Sequence, residues 1–485
     1  MAQDILSLKP AALWQHFYEL TQIPRPSKHE AKASEFVAAF GKKLGLPTEV
    51  DGVGNVLIRK PATKGLEGRQ TVILQGHLDM VPQANAAANH NFLTDPIDAY
   101  IDGEFVRARG TTLGADNGIG VAAAMALLEA TDIEHPALEA LFTIDEEAGM
   151  NGVRAIKAGW LKGDILINLD SEEEGELCVG CAGGLDGTFE ASYDELNPAA
   201  GKAYKLGITG LKGGHSGADI HLGRGNANKI AMRILNQLTK KCRVQLASYS
   251  GGNLRNAIPR EASATIVVCA ECDEEVKKIV ASITAAINAE LALVDNPAVI
   301  TLDPTEMPAK VVNPASQLGF ISALLACPNA VTRMSDAMPG LVETSTNLAI
   351  VSIADGQLSV SALLRSSVDS AKEHLAECME AAFSLAGVKS VFSGGYSGWN
   401  PNMKSPILQT MNEVYEQLYG LKPKAGAIHA GLECGMLGGL YRNLDMISCG
   451  PTIFNPHSPD ERVEVKSVEK WWNFMLAALK SCPCK

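Results

Sequence analysis

The sequence predicts an α/β protein in which a sheet with helices on both faces is interrupted by an inserted α+β domain. Helix and strand patterns alternate in the N-terminal part, which favours a sheet covered on both faces. After Gly183-Gly184 the pattern changes to half-exposed strands interleaved with helices, and from Ser405 the first pattern returns. The predicted parts are 1–185 and 398–485 for the interrupted domain and 186–397 for the inserted domain.

The elements of the interrupted domain are predicted from the spacing of apolar residues. Amphipathic helices are expected at 11–20 and 30–44, and short apolar runs predict strands at 54–59 and 71–74. An alanine-rich helix at 119–130 is suited to close packing against a sheet. In the returning part we predict a helix at 405–419, a strand at 446–448 and a helix at 468–480.

The inserted domain is predicted from runs in which apolar and polar residues alternate. Such alternation is typical of strands with one exposed face, and helical patterns stand between the runs. The predicted strands are 204–211, 262–270 and 358–364, and the predicted helices are 227–240, 273–290 and 370–386.

The length, composition and charge of the chain restrict its function. A chain of 485 residues is too long for one ordinary core, so two or more domains are expected. Its 46% hydrophobic and 20% charged residues are typical of a soluble globular protein. The net charge of −13 argues against nucleic acid or an anionic membrane as the main partner.

The cysteines and the N-terminal residues favour a cytoplasmic protein. The start of the chain lacks a basic region followed by an apolar core, and the apolar stretch 119–128 is too short to span a bilayer. Eleven cysteines are an odd number, which favours free thiols in a reducing compartment. Cys178-x-x-Cys181 and Cys269-x-x-Cys272 lie too far apart for a pair of zinc knuckles.

Three apolar runs lead directly into side chains that can bind a metal. Each run is typical of a strand buried on both faces. Ligands bind at the carboxyl ends of strands in open α/β sheets, and carboxylates gathered there need a positive charge to neutralise them. The sequence therefore predicts a divalent cation site. The residues that follow the three runs are His77 and Asp79, Asp145-Glu146-Glu147, and Asp170.

The spacing of these residues suggests different roles for them. His77 and Asp79 are two apart on a strand end and point to the same side, so Asp79 can orient the imidazole of a ligating His77. Glu146 and Glu147 are neighbours that we expect to point in opposite directions, which suits one ligand and one base. A surface histidine and a solvated acidic turn are the alternatives, and we interpret the acidic run 171–174 as such a turn.

The glycine-rich loop 114–120 precedes the alanine-rich helix and carries Asp116. A phosphate-binding loop is one interpretation, because helix N-termini bind anions. Its spacing matches neither standard phosphate motif, and Asp116 would repel a phosphate. The alternative is that the glycines allow the backbone to bring Asp116 into a metal site.

Two of the ten histidines stand in settings marked by glycine or proline. His215 lies in Gly213-Gly214-His215-Ser216-Gly217, where the chain can approach a ligand closely, although a simple turn would have the same pattern. His457 lies between Pro456 and Pro459, which suits a rigid ligand. The sequence leaves His429 open. The histidines that we interpret as surface or packing residues are His16, His29, His90, His135, His221 and His374.

Taken together, these motifs resemble the co-catalytic zinc metallopeptidases, the family that includes aminoacylases, carboxypeptidase G and carnosine-cleaving dipeptidases. The order of the motifs and the inserted domain fit this family over essentially the whole chain. Further segments, 109–118, 170–176, 254–261 and 428–435, resemble the bacterial members that cleave Xaa-His dipeptides. The family motifs are matched by 76–79, 114–118, 145–149, 168–170 and 456–458.

The resemblance implies a mixed-sheet, zinc-peptidase-like domain that binds two zinc ions, with manganese or cobalt as possible substitutes. Asp116 is implied to bridge the ions, with Glu146 as general base and Asp79 as the orienting carboxylate. The inserted domain is implied to be a lid and dimerisation domain whose His215 stabilises the oxyanion, in its own or the partner subunit. The implied ligands are His77 and Asp170 for one ion, and Glu147 and His457 for the other.

The predicted function is therefore hydrolysis of dipeptides of the Xaa-His type, such as carnosine, by a homodimeric metallopeptidase. A dipeptidase must also recognise both ends of its substrate. We expect Arg365 to bind the C-terminal carboxylate, Asn256 the substrate backbone and Glu433 the N-terminal ammonium. For Arg365 a surface salt bridge is the alternative. The alternatives are an N-acyl amino-acid hydrolase of the same fold and a non-catalytic zinc-binding scaffold.

Overall fold

The computed structural model describes residues 5–485. Residues 1–4, which begin the predicted first domain and the stretch inspected for a signal peptide, lie outside the described residues. The described chain forms two compact units. One comprises the residues up to Gly180 with Trp399–Ala427 and Leu432–Lys485, and the other comprises Cys181–Gly398 and Ile428–Gly431.

The first unit contains an eight-stranded mixed sheet. With strands numbered in chain order, the sheet order is β1-β2-β6-β3-β7-β23-β8-β22. The four central strands β6, β3, β7 and β23 are parallel, and their outer neighbours β2 and β8 run antiparallel to them. A second sheet has the order β24-β25-β5-β4. The strands are β1 (Thr48–Val50), β2 (Val56–Lys60), β3 (Val72–His77), β4 (Ala99–Asp102), β5 (Phe105–Ala108), β6 (Leu138–Thr143), β7 (Ile165–Asn168), β8 (Glu176–Cys181), β22 (Lys424–Ile428), β23 (Asp445–Ser448), β24 (Ile453–Phe454) and β25 (Arg462–Glu464).

Helices cover this sheet. Of the seven helices named below, five lie where the sequence predicts a helix, and Asn151–Ala155 and Glu433–Leu440 were not predicted. Helix Ala115–Glu129 packs against β3 and against helix Ala11–Thr21. Helix Ala31–Lys43 packs against β2, and helix Pro406–Tyr419 packs against β23 and against helix Val465–Ser481. Strands β3, β6 and β7 are buried along their whole length, as expected of strands covered on both faces. The helices are α1 (Ala11–Thr21), α2 (Ala31–Lys43), α3 (Ala115–Glu129), α4 (Asn151–Ala155), α9 (Pro406–Tyr419), α10 (Glu433–Leu440) and α11 (Val465–Ser481).

The second unit is built on a nine-stranded antiparallel sheet with the order β16-β11-β15-β13-β19-β20-β9-β21, in which β18 also pairs with β19. Four helices bury their apolar faces in its core, where the rings of Phe189 and Phe383 stack at 4.1 Å. The strands are β9 (Gly183–Ser192), β10 (Glu195–Leu196), β11 (Lys202–Thr209), β12 (Gly214–His215), β13 (Gln245–Gly251), β14 (Ala257–Ile258), β15 (Ala262–Val268), β16 (Val299–Pro304), β17 (Val311–Val312), β18 (Ala330–Met334), β19 (Val342–Ala354), β20 (Gln357–Ser366) and β21 (Lys389–Tyr396). The helices are α5 (Ala227–Cys242), α6 (Asp273–Leu291), α7 (Pro314–Ala326) and α8 (Asp369–Ser384).

The predicted α/β class with a mixed sheet is confirmed. Within residues 5–485, no helix combines the length and the hydrophobicity needed to cross a lipid bilayer. Strand β6 ends at Thr143, one residue earlier than its apolar run suggests, and Asp145 follows with a φ of 51°. The chain therefore turns before Glu146 and Glu147.

The contact between α3 and the end of β7 leaves no space for a side chain at Gly120. A Cβ atom there would lie 2.5 Å from the backbone oxygen of Leu169 and 2.6 Å from Oδ1 of Asn117. We expect Gly120→Ala to lower the free energy of unfolding by about 1–3 kcal/mol, because backbone must move to admit the methyl group. Calorimetric thermal unfolding measures the effect.

Gly68→Ala is the matched control, because an added Cβ there has no neighbour within 4 Å among the described residues. An unfolding temperature of Gly120→Ala equal to that of the control would contradict the close packing of α3.

Candidate active site

The carboxyl ends of three parallel strands deliver most of the predicted metal ligands. His77 is the last residue of β3, Asp170 follows the end of β7, and Glu147 follows the turn after β6. Asp116 is the second residue of α3, and His457 lies in the loop between β24 and β25. Parallel strands end at the same edge of a sheet, so residues far apart in sequence meet there.

The five side chains form two groups that share Asp116. Within each group the possible ligand atoms all lie within 4.8 Å of one another. Nε2 of His77 lies 3.1 Å from Oδ1 of Asp116 and 3.2 Å from Oδ1 of Asp170. Nε2 of His457 lies 3.2 Å from Oδ2 of Asp116 and 3.0 Å from Oε1 of Glu147. The two carboxylate oxygens of Asp116 therefore face different imidazoles.

This arrangement fits a pair of metal ions. Ligand atoms bound to one tetrahedral zinc ion at the usual bond lengths lie about 3.3 Å apart, close to the separations found within each group. Oδ1 of Asp170 and Oε1 of Glu147 are buried, and apart from the contacts with His77 and His457 they have no hydrogen-bond donor among the described residues. Such oxygens are costly unless a cation or a donor satisfies them. Histidine nitrogen with carboxylate oxygen is a donor set that suits zinc.

The pKa values of nearby carboxyl groups reflect this concentration of negative charge. Burial, together with the charges of Asp116 and Glu147, raises the pKa of Asp170 to about 7 although His77 opposes the shift. Burial also raises the pKa of Glu146 well above its usual value, and Asp170 and Glu433 add to the shift. The nearby side chains therefore do not supply enough positive charge to balance the clustered carboxylates.

Asp79 joins the histidine to the paired glutamates. Its Oδ1 lies 3.3 Å from Nδ1 of His77 and accepts the backbone N–H of Glu146 at 3.0 Å. Its Oδ2 accepts the N–H of Glu147 at 3.1 Å and the hydroxyl of Ser27 at 2.8 Å. Burial opposes charge on Asp79, but His77 and these donors lower its pKa below the usual value. Nδ1 of His77 also lies 3.2 Å from the backbone oxygen of Asp79, so Asp79 orients the imidazole through its backbone and its side chain. Its carboxylate also fixes the turn that carries both glutamates.

The expectation that Glu146 and Glu147 point in opposite directions is wrong. Both glutamates and His77 offer ligand atoms within 4.8 Å of one another. The reason is the turn at Asp145, because alternation of side chains holds only along an extended strand. The two glutamates differ in their partners, since Glu147 contacts His457 and also belongs to the group around Asp116.

The backbone around Asp116 is held by a residue that the sequence analysis did not identify as part of the site. Oε2 of the buried Glu461 accepts the N–H groups of Leu113 at 2.7 Å and Gly114 at 3.0 Å. Its Oε1 accepts those of Ala115 at 2.7 Å and Asp116 at 3.2 Å. A carboxylate at a helix N-terminus satisfies N–H groups that have no partner within the helix. The only sequence signal is that no capping side chain precedes this helix.

A buried arginine, also missed from the sequence, joins the same loop to the end of β3. Arg25 donates hydrogen bonds to the backbone oxygens of Leu78 and Asp79, both at 3.0 Å, and of Gly114 at 2.6 Å. Gly114 has a φ of 72°, and a Cβ on it would lie 2.6 Å from Nη2 of Arg25. The glycine is therefore required both by its backbone conformation and by the close approach of the guanidinium.

The interpretation of 171–174 as a solvated turn is wrong for two of its residues. Burial and the charges of Asp116 and Asp170 raise the pKa of the partly buried Glu172 to about 8. Glu174 accepts hydrogen bonds from the hydroxyl of Tyr415 at 2.8 Å and the amine of Lys470 at 2.7 Å. Acidic composition alone did not reveal these tertiary contacts.

Glu433 lies in the first unit, at the carboxyl ends of the central strands. Its Oε2 accepts the hydroxyl of Thr143 at 2.7 Å and the amide of Gln75. Oε1 is buried and has no hydrogen-bond partner among residues 5–485. Burial, with the nearby carboxylates Asp170 and Asp79, raises the pKa of Glu433 to about 7, although Thr143 and His77 oppose the shift.

The second unit brings together His215, Arg365 and His429, the histidine that the sequence left open. All three meet at Gly217, where a Cβ would lie 2.2 Å from the backbone oxygen of His429, 3.1 Å from Cε1 of His215 and 3.2 Å from Nε of Arg365. Asn256 lies beside them, because its backbone oxygen accepts the N–H of Ser216 at 2.8 Å. Three predicted substrate-binding or catalytic residues of this unit are thus neighbours.

His215 and Arg365 offer hydrogen-bond donors, and Arg365 also carries a positive charge. Burial and the charge of Arg365 lower the pKa of His215, and they lower that of His429 to about 3. Nδ1 of His215 accepts the N–H groups of Gly217 at 3.2 Å and Ala218 at 2.9 Å, which places the proton of the neutral ring on Nε2. Arg365 is 6% exposed, and no carboxylate of residues 5–485 forms an ion pair with it. A buried guanidinium without a counter-ion favours an anionic ligand.

The contacts of Glu461 predict that it controls metal affinity through Asp116. Glu461→Gln keeps the shape of the side chain but replaces one acceptor oxygen by an N–H donor, so the loop loses part of its support. We expect zinc affinity to fall about 10-fold to 100-fold, the usual effect of losing a group that orients a ligand. Competition with a chromogenic chelator measures this affinity.

Asp460→Asn is the control, since Asp460 is the exposed neighbour of Glu461 and its side chain is 74% accessible. Unchanged zinc affinity in Glu461→Gln would mean that the carboxylate serves only as a helix cap.

Comparison with known proteins agrees with the arrangement of these residues. Residues 73–481 match Peptidase family M20/M25/M40. The chain is 45% identical to the cytosol non-specific dipeptidase of Escherichia coli over 99% of this chain and 100% of that protein. It is also 45% identical to an aminoacylhistidine dipeptidase from Vibrio alginolyticus, with a TM-score of 0.95 and coverage of 99% and 98%.

A third comparison extends the likeness in fold. The aminopeptidase PepT of Bacillus cereus is 15% identical, with a TM-score of 0.57 and coverage of 98% and 99%, which shows a shared fold alone. The family match and the full-length 45% identities confirm the predicted resemblance and the prediction of a peptide-bond hydrolase. On this basis the chain belongs to peptidase family M20/M25/M40.

Proposed function

We propose that this peptidase is a di-zinc dipeptidase that hydrolyses Xaa-His and related dipeptides. The observation that carries the proposal is Asp116, whose two oxygens lie 3.1 Å and 3.2 Å from the nitrogens of two different histidines. Full-length identity of 45% to two bacterial dipeptidases supports the choice of substrate. Manganese or cobalt can replace zinc in such a donor set.

The proposed ligands are His77 and Asp170 for one ion, Glu147 and His457 for the other, and Asp116 for both. Metal ions held there would lower the pKa of a bound water to about 7 and polarise the scissile carbonyl. Asp79 keeps the imidazole of His77 oriented through Nδ1, which leaves Nε2 available to a metal.

Glu146 is the proposed general base. It takes a proton from the attacking water and delivers it to the leaving amine, which requires a carboxylate close to the ligands but not itself a ligand. Glu147 is less suited to this role because its Oε1 lies 3.0 Å from the nitrogen of His457. The N–H groups of both glutamates are fixed by Asp79, so the base is held in place by the same carboxylate that orients a ligand.

The second unit is proposed to supply groups that bind the substrate. Arg365 would bind the C-terminal carboxylate, the anion that its buried and unpaired guanidinium lacks. The Nε2–H of His215 would donate to the oxyanion that forms on the carbonyl, a contact commonly worth about 100-fold to 1,000-fold in rate. Asn256 is proposed to contact the substrate backbone, and the free Oε1 of Glu433 the N-terminal ammonium.

We further propose that the protein acts in the cytoplasm as a homodimer formed through the second unit, in line with the roles implied by the family resemblance. The main alternative is an N-acyl amino-acid hydrolase, which needs no ammonium-binding carboxylate. A non-catalytic zinc scaffold is a weaker alternative, since a scaffold would have no use for the carboxylate of Glu146 beside the ligands.

Glu146→Gln separates catalysis from metal binding. We expect normal zinc content, because the five proposed ligands remain, and a loss of activity of about 100-fold or more, because the amide cannot accept the proton. Metal analysis and hydrolysis of β-alanyl-histidine, of α-aminoacyl-histidines and of N-acetyl-histidine are the measurements.

The matched control is Glu173→Gln, an exposed glutamate in the acidic run near the site, which we expect to keep full activity. Full activity of Glu146→Gln would rule out the assigned base. Cleavage of N-acetyl-histidine by the unchanged protein, without cleavage of any dipeptide, would favour the acyl hydrolase.

Arg365→Met tests recognition of the substrate carboxylate. We expect KM for dipeptides to rise about 10-fold to 100-fold, the range for losing a hydrogen bond to a charged group. KM for the same dipeptides with a C-terminal amide should change little. Steady-state kinetics on both series are the measurement, with the exposed Arg333→Met as control. Equal rises in KM for acids and amides would contradict the assignment.

A further inference from the structure

Three cysteine thiols lie together in the second unit. Cys242 is the last residue of α5 and is 1% exposed, whereas Cys269 and Cys272 are partly exposed and stand just before α6. The neighbouring thiols of Cys269 and Cys242 both raise the pKa of the Cys272 thiol. Sγ of Cys269 also lies 4.0 Å from the backbone oxygen of Cys242. The proposed peptidase chemistry uses none of these residues.

The backbone brings Cys269 and Cys272 close enough to be cross-linked. Cys269 is the N-cap of a 3₁₀ turn, Ala270–Cys272, that continues into α6. The N–H of Cys272 donates to the backbone oxygen of Cys269 at 3.1 Å. Such a closed turn holds the first and fourth Cα atoms within about 7 Å. Disulfides span Cα separations of about 4.4–6.8 Å, so the pair can be joined with little backbone movement.

Pairwise thiol chemistry explains this cluster better than a metal. A structural zinc site requires its sulfur ligands to converge on one point. Among residues 5–485, no cysteine belongs to a group of three possible ligand atoms that lie within 4.8 Å of one another. The adjacent pair Cys269 and Cys272 is therefore better suited to form a disulfide than to bind a metal.

We propose that Cys269 and Cys272 are a redox-active dithiol that exchanges with low-molecular-weight disulfides of the glutathione class. The thiolate of Cys269 attacks one sulfur of the external disulfide, forms a mixed disulfide and releases one thiolate. The thiolate of Cys272 then attacks the sulfur of Cys269, closes the intramolecular disulfide and releases the second thiolate. The two protein protons end on the two released thiols, so one disulfide is reduced as one is formed.

The surroundings of the two thiols support this order of attack. Cys269 is partly exposed, so an external disulfide can reach its thiol. The neighbouring thiol of Cys269 is the main cause that raises the pKa of Cys272 to about 11. Once Cys269 is in a mixed disulfide, its thiol no longer raises the pKa of Cys272, so Cys272 becomes a better nucleophile. Cys242 is buried, and burial raises the pKa of its thiol, so it is the least reactive of the three.

The test exposes the full-length protein to oxidised glutathione, followed by alkylation, protease digestion without reductant and mass spectrometry. We expect the wild type to lose two titratable thiols through a Cys269–Cys272 disulfide, without a stable glutathione adduct at either position. Cys272→Ser removes the second attack, so it should retain glutathione on Cys269. Dithiothreitol should restore both thiols of the wild type.

Cys378→Ser is the matched control, because Cys378 is partly exposed but its thiol lies 3.7 Å from Nε2 of His374 rather than beside a second thiol. We expect this variant to form the Cys269–Cys272 disulfide as the wild type does. Modification of Cys378 or Cys484 while Cys269 and Cys272 stay reduced would overturn the proposal. So would a Cys242–Cys272 disulfide as the main product, and both results can be read from the wild type alone.

Discussion

The site depends on the support that Glu461 gives to the start of α3. Its two oxygens accept four consecutive backbone N–H groups, from Leu113 to Asp116. Asp116 is therefore presented by a fixed backbone, and its two carboxylate oxygens can face His77 and His457 at the same time. Because both groups of possible ligands share Asp116, a shift of this loop would disturb both.

Two further buried side chains, Arg25 and Asp79, hold other loops of the site in place. Arg25 joins the backbone after β3 to Gly114, so the loops that bear His77 and Asp116 are held by one guanidinium. Burial lowers the pKa of Arg25, while the charges of Glu461, Asp79 and Asp116 oppose the shift and stabilise the charged form. Asp79 in turn fixes the turn with Glu146 and Glu147. Each carboxylate that supports the site is thus paired with donors, whereas Oδ1 of Asp170 and Oε1 of Glu147 have no donor among the described residues apart from His77 and His457.

Local patterns predicted the elements well, because the period of apolar residues is a property of short segments. The predicted helix 11–20 is found at Ala11–Thr21, and the predicted strand 446–448 is found at Asp445–Ser448. The prediction failed where a turn replaced a strand, so Glu146 and Glu147 face one cluster rather than opposite sides. It also failed where acidic residues looked solvated, as for Glu172 and Glu174, whose partners lie elsewhere in the chain.

By itself the sequence determined the order of elements, the apolar strands of the central sheet and the residue types that follow them. Those features are local, and the motifs that resemble the family are short. Only the tertiary structure decided that Glu461 supports Asp116, a residue 345 positions away, and that Arg25 joins two loops. The physical reason is that a buried charge or N–H group must find a partner in space, and no local pattern records which distant residue provides it.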